Sequence, residues 1–179
     1  MNVQSTLDQL QELRLKGFSR AYKETMETGL TKQFTSDELI AHMVQAEWDD
    51  RYNKKLERLV QNAHFRYKSG FEEIDYSVKR NLDKNVMLRF SSCDWISNHQ
   101  NIIITGSTGS GKSFIASALG YQACCNNYKV LYYNCTKLFD WLKIAKADGS
   151  YIKEIIKIEK SDLIILDDFG IKPFDSQQR

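Results

Sequence analysis

The chain has 179 residues, of which 42% are hydrophobic and 27% are charged, and its formal net charge is +2 at pH 7. This composition is typical of a globular protein and excludes a disordered chain, while the net charge alone does not indicate a nucleic-acid partner. No stretch approaches the ~20 apolar residues of a membrane span, and residues 1–5 lack the features of a signal peptide. We therefore expect a cytoplasmic protein without membrane contact.

The first 68 residues are predicted to form a small all-α domain. Apolar residues recur at helical intervals up to Gly29, with Gly17 as a weak point, and Thr35 and Glu38 form a capping-box pattern. A long helix is expected to follow, from about residue 37 to residue 64, with a length of roughly 40 Å.

One face of this long helix is predicted to be basic. Arg51 lies three and four positions before Lys54 and Lys55, and Arg58 lies four and three positions after them, which places the four side by side on a helix. Two interpretations stay open. The run is either a solvated helix surface, which is common, or a surface that contacts the phosphates of double-stranded DNA.

A short aliphatic run then precedes a glycine-rich loop. Asn101–Thr105 predicts a buried strand, Gly106–Ser113 matches the phosphate-binding pattern G-x-x-x-x-G-K-[ST], and Lys112–Asn126 predicts a helix. Lys112 would reach the β- and γ-phosphates of ATP, and the Ser113 hydroxyl would ligate Mg²⁺. A glycine-rich turn without function is the alternative. The predicted ATP-binding residues are Gly106, Ser107, Thr108, Gly109, Ser110, Gly111, Lys112, Ser113 and Phe114.

A second aliphatic run ends in two acids, in the segment Asp162–Asp168. Behind a phosphate-binding loop, Asp167 at the strand end is expected to hold Mg²⁺ together with Ser113, and Asp168 could polarise the attacking water. A buried strand that ends at a solvated acidic turn is the alternative. The predicted catalytic residues are Lys112, Asp167 and Asp168.

Strands and helices alternate through the second half of the chain. Lys129–Asn134 predicts a strand between the two motifs, and residues 136–147 and 152–160 predict helices. This order predicts an α/β fold with a parallel sheet. The predicted organisation is the helical domain, a connector at residues 69–76 and a nucleotide-binding core over residues 77–179.

The sequence is similar to the AAA+ ATPases of the DnaC/IstB group, and within that group it most resembles the IstB-like helper ATPases of insertion-sequence transposition. The resemblance covers nearly the whole chain. It rests on residues distributed along it: Leu13–Gly17, Ser69–Asp75, Asn101–Gly106, Gly109–Ser113 and Asp162–Gly170.

The resemblance implies a P-loop NTPase (AAA+) core and ATP-dependent binding of double-stranded DNA. It also implies self-association into a ring or filament and delivery of target DNA to a transposase. DnaC-like relatives instead load a replicative helicase, and that alternative stays open beside a generic P-loop kinase. The group usually has glutamate where this chain has Asp168, and it continues beyond the second motif. We therefore expect a core that is incomplete at the C-terminus and hydrolyses ATP very slowly.

Overall fold

The computed structural model describes residues 2–29, 33–77 and 81–171, and these residues form eight α-helices and two β-strands. Internal contacts divide the chain into two compact units, residues 1–57 and 58–179, and the third helix continues from the first unit into the second. The elements in chain order are α1 (Val3–Glu12), α2 (Lys16–Thr28), α3 (Ser36–Ala63), α4 (Lys84–Phe90), α5 (Asp94–Ser97), α6 (Lys112–Cys125), β1 (Val130–Asn134), α7 (Cys135–Asp148), α8 (Tyr151–Glu159) and β2 (Leu163–Asp167).

A buried carboxylate organises the first unit. Leu15, which precedes α2, supplies no side-chain cap, and Glu47 of α3 takes that role by accepting hydrogen bonds from the backbone N–H groups of Gly17 (2.8 Å) and Phe18 (3.1 Å). Burial opposes ionisation of Glu47, but the Arg51 side chain and these two amides outweigh it and lower the pKa of the carboxyl. One acid therefore caps α2 and pairs with a basic residue of its own helix.

The predicted weak point at Gly17 is wrong, because the break between α1 and α2 falls at residues 13–15. Arg14 adopts a left-handed conformation there, with φ 59°. Gly17 lies inside α2 for a different reason: a β-carbon at this position would lie 2.3 Å from the carbonyl oxygen of Ala46. Close contact between two helices, and not a helix break, requires glycine here.

The helix signals around α3 are confirmed. The Thr35 backbone N–H donates to the Glu38 carboxylate at 2.8 Å, and the Glu38 N–H donates to the Thr35 hydroxyl at 3.3 Å, which is a reciprocal capping box. The helix then runs for 28 residues, one residue earlier at each end than the sequence indicated.

The second unit is built on a parallel pair of strands, which confirms the predicted α/β class. β1 and β2 pair from Val130 with Leu163 to Asn134 with Asp167. Helix α6 contacts both strands and buries seven of its residues. An apolar cluster lies around it, formed by Ile74, Met87, Ile115, Ala118 and Leu119.

The predicted strand at Asn101–Thr105 is not formed in the described structure. No backbone hydrogen bond joins this segment to β1 or β2, and a strand is defined by such a ladder. The segment nevertheless alternates in burial, because Ile102 and Ile104 pack against the apolar cluster while Ile103 is 86% exposed. The aliphatic pattern therefore marks a segment that lies against the core without pairing.

In the described ranges, no helix has the length and apolar character needed to cross a bilayer. All four cysteines are free thiols.

Gly120 supports a test of packing between α6 and the sheet. A β-carbon here would lie 2.4 Å from Cε1 of Phe65 and 2.7 Å from Cδ1 of Ile165, and Phe65 is itself packed edge-on against Tyr132. Gly120→Ala should gain about 1 kcal/mol of helix propensity but lose more through overpacking, which typically costs about 1–3 kcal/mol.

Urea unfolding should therefore show net destabilisation by Gly120→Ala. Gly70→Ala is the matched control, because Gly70 has an ordinary extended backbone and the nearest atom to its β-carbon is a Glu72 side-chain oxygen at 3.7 Å. Equal stabilities of the two variants would contradict the packing described here.

Candidate nucleotide-binding site

The glycine-rich loop leads directly into the first turn of α6. Gly109 and Gly111 take left-handed conformations, with φ 81° and 89°, and Gly111 is the residue before the helix. Only glycine adopts such angles without strain, so the loop needs these residues to turn into the helix. The positive end of the helix dipole and the free N–H groups of its first turn then face the loop, which suits an anion.

Lys112 is the first residue of α6, and its side chain crosses back over the loop. The Nζ atom donates to the carbonyl oxygen of Ser107 at 2.7 Å. The ammonium group therefore lies over the loop, where the sequence motif places the charge that meets the phosphates.

Ser113 and Asp167 come together from the two motifs. The Ser113 hydroxyl, in the first turn of α6, donates to Oδ1 of Asp167, at the end of β2, at 2.9 Å. These residues are 54 positions apart in sequence, and both were predicted as Mg²⁺ ligands.

Asp167 accepts two further hydrogen bonds at its other oxygen. The Tyr132 hydroxyl of β1 donates to Oδ2 at 2.6 Å, and Nη1 of Arg66, which follows α3, donates at 3.1 Å. Burial opposes ionisation, yet the donors Tyr132, Ser113 and Arg66 outweigh it and lower the pKa of the Asp167 carboxyl. The aspartate is thus held as an anion by donors from three separate parts of the chain.

Asp168 is held by the neighbouring strand. It has a left-handed backbone, with φ 58°, which is uncommon for a residue other than glycine and is often found at functional positions. Nδ2 of Asn134 donates to its carboxylate at 2.7 Å, while Oδ1 of Asn134 accepts from the Lys137 N–H at 3.2 Å and so caps α7. The helix cap fixes the orientation of the amide that holds Asp168.

Three residues of this site were not assigned to it from sequence: Arg66, Tyr132 and Asn134. The carboxyl ends of parallel strands meet at one edge of a sheet, so the end of β1 is where a partner for Asp168 could have been sought. Arg66 carries no such signal, because 101 positions separate it from Asp167.

The Phe114 side chain is partly buried against the apolar core. Its ring packs against the apolar cluster and lies 6.1 Å from the ring of Tyr67, and its carbonyl oxygen accepts a hydrogen bond from the Ser69 hydroxyl at 3.2 Å. A role of Phe114 in ATP binding would therefore have to come from its backbone.

The basic face predicted on α3 is partly neutralised within the helix. Arg51 pairs with Glu47 at 2.6 Å, and Lys54 pairs with Asp50, each four residues earlier. Lys55 and Arg58 form no ion pair with another residue that the structure describes.

A cavity opens beside the phosphate-binding loop within the second unit. Gly106, Ser107, Ser110 and Lys112 form one side of it. Its other walls include apolar side chains of α4 and of the segment before the loop, namely Val86, Met87, Phe90, Ile102 and Ile104. The loop thus adjoins a largely apolar recess.

The loop, the lysine over it and the paired hydroxyl and carboxylate define a P-loop nucleotide-binding protein. The chain belongs to the family of IstB-like ATP binding proteins, whose sequence profile matches residues 8–179.

Several curated proteins are similar to this chain. A protein of Sinorhizobium fredii, named as the insertion sequence ATP-binding protein y4pL, is 35% identical over 179 residues, which are 100% of this chain and 73% of that protein. The ATP-binding protein of insertion sequence IS1162 from Pseudomonas fluorescens is 37% identical, with 100% of this chain and 78% of that protein covered. An IS21-like ATP-binding protein of Bacteroides fragilis is 24% identical, with 92% and 83% covered.

The hydrogen bond from Tyr132 to Asp167 can be tested through its pH dependence. Tyr132→Phe removes a buried donor to a charged group, which typically costs about 1.5–3 kcal/mol. Because the bond lowers the pKa of Asp167, the cost should be complete above the ordinary carboxyl value of 3.8 and should shrink as pH falls through the lowered pKa.

Urea unfolding across the acid range would measure this cost. Tyr133→Phe is the matched control: the neighbouring hydroxyl is buried without a hydrogen-bond partner in the described structure, so its removal should be neutral or stabilising. If Tyr132→Phe lowered the free energy of unfolding by the same amount at every pH, Tyr132 would not be a donor to the ionised Asp167 carboxylate.

Proposed function

We propose that this protein binds and hydrolyses ATP with Mg²⁺, binds double-stranded DNA, and assists the transposase of an insertion sequence. The observation that carries the proposal is the 2.9 Å contact between Ser113 and Asp167, which joins the two halves of a nucleotide site, next to a lysine that lies over the loop. The names of the relatives link them to insertion sequences and to ATP, which favours the transposition helper over the helicase loader.

Ser113 and Asp167 suit Mg²⁺ because a hydroxyl and a carboxylate are hard oxygen donors, and these two already lie within hydrogen-bonding distance of each other. Mg²⁺ held there would neutralise charge on the terminal phosphates of ATP. The Ser113 hydroxyl would turn its lone pairs toward the metal. Asp167 would keep the hydrogen bond from Tyr132 while its negative charge also binds Mg²⁺.

The remaining polar groups would bind the phosphates of ATP and position the attacking water. Lys112 would leave Ser107 for the β- and γ-phosphates, and the loop amides would bind their oxygens. Asp168, oriented by Asn134, would accept a hydrogen bond from the attacking water. The apolar recess beside the loop would receive the base.

The partners and location are proposed from the family. The protein would act in the cytoplasm and self-associate into a ring or filament, as its group does. Binding of DNA would be sequence-independent, because phosphate contacts position a protein on DNA without reading bases.

Nucleotide binding tests the central proposal. Lys112→Ala removes the ammonium group over the loop, so the affinity for a fluorescent ATP analogue should fall at least ~10-fold, which corresponds to about 1.4 kcal/mol. Lys137→Ala is the control, since that lysine is exposed on α7 and its backbone N–H, which the substitution keeps, is the group that donates to the capping Asn134. No binding by the wild-type protein, or equal binding by both variants, would refute the proposal.

Arg66 should compete with Mg²⁺ for Asp167, since both are cations that need the same carboxylate. Arg66→Gln should therefore lower the Mg²⁺ concentration needed for half-maximal nucleotide binding by a few fold, while Arg66→Lys should stay near the wild-type value. The Arg66 side chain is half-exposed, so its ion pair contributes little to stability and both variants should remain folded. A higher Mg²⁺ requirement in Arg66→Gln would show that Arg66 supports the metal site and does not compete with it.

A further inference from the structure

A second groove lies in the same unit, at the opposite end of the strands from the nucleotide site, and apolar side chains and lysines line it together. It is formed around Lys129 and Ser161, which precede β1 and β2, whereas Asn134 and Asp167 end those strands. Strands of five residues are roughly 16 Å long, so the two sites are separate. We call it the lysine groove; its lining is Leu59, Asn62, His64, Lys129, Val130, Leu131, Lys153, Ile156, Lys157, Lys160 and Ser161.

Four ammonium groups converge on the lysine groove. Lys153, Lys157 and Lys160 follow one another at spacings of four and three along α8 and its end, so they share one helix face, and Lys129 joins them from the start of β1. All four side chains are exposed, and none forms an ion pair with a residue that the structure describes.

The groove lining contains no carboxylate in the described part of the chain. Three acids lie close by in sequence. Glu154 and Glu159 of α8 are outside the groove lining and form no described ion pair with these lysines, and Asp162 accepts the backbone N–H of Lys129 at 2.7 Å. Like charges that converge without a counter-charge repel one another, and an anionic ligand would relieve that repulsion.

The composition of the groove selects the kind of anion. Lysine ammonium groups act as point charges toward phosphates. The described lining contains no Phe, Tyr or Trp, and its only imidazole is that of His64, so it lacks the row of stacking surfaces that holds successive bases of single-stranded nucleic acid. The three lysines of α8 span about 10 Å of helix, and each strand of duplex DNA presents a phosphate about every 3.4 Å along its axis. The row of three lysines therefore spans about three phosphate-to-phosphate intervals, roughly the reach of four consecutive phosphates of one strand.

We infer that the lysine groove binds the sugar–phosphate backbone of duplex DNA. The inference rests on the proposed DNA-binding function and assigns it to α8. The alternative site on α3 is weaker, because Arg51 and Lys54 each have an acidic partner within that helix.

Two triple variants of equal net charge test the assignment with a fluorescent duplex over a range of salt concentrations, in the presence of ATP and Mg²⁺. One is Lys153→Gln, Lys157→Gln, Lys160→Gln, and the other is Lys54→Gln, Lys55→Gln, Arg58→Gln. Each lost phosphate contact should reduce the slope of log affinity against log salt by about 0.9. We expect a slope lower by roughly 2–3 for the α8 variant and an unchanged slope for the α3 variant.

The possible outcomes separate the inference from the proposed function. If the wild-type protein bound ATP but no duplex DNA, the DNA part of the proposed function would fail, and the inference with it. If the wild-type protein bound DNA and the α8 variant kept its slope, only the lysine groove would be rejected. Nucleotide binding measured in the same samples should be equal for both variants, which shows that the nucleotide site is still folded.

Discussion

One carboxylate, that of Asp167, connects the parts of the second unit on which a nucleotide site depends. Its donors come from the first turn of α6, from the middle of β1 and from the segment that follows α3. A buried carboxylate stays ionised only when hydrogen-bond donors compensate for the water contacts that it loses. The position of the glycine-rich loop relative to the acidic strand end is therefore fixed by the ionised side chain between them.

The central motifs could be predicted from sequence because they are local. The spacing around Lys112 and the aliphatic run before Asp167 each fit one short element, and the family assignment agrees with both. The predicted strand at 101–105 was wrong because pairing depends on distant residues, while its aliphatic pattern reports only burial. Arg66 could not be placed for the same reason, since its partner lies in another motif.

Charge patterns were harder to interpret than apolar ones. The basic run on α3 is conspicuous in sequence, yet two of its members are neutralised by acids four residues earlier. The lysines of α8 are separated by isoleucines and by two acids, Glu154 and Glu159, so they do not stand out as a run, and Lys129 joins them only through the fold. A count of charges therefore says less about a binding surface than the pairing of each charge does.

Asn134 has a consequence beyond its own contacts. The oxygen of its amide caps α7 and the nitrogen holds Asp168. A half-turn of that amide would exchange donor for acceptor at both ends simultaneously, so it would break both contacts together. The first turn of α7 and the Asp168 carboxylate are thereby linked through one side-chain amide, so a displacement of either would strain the contact to the other.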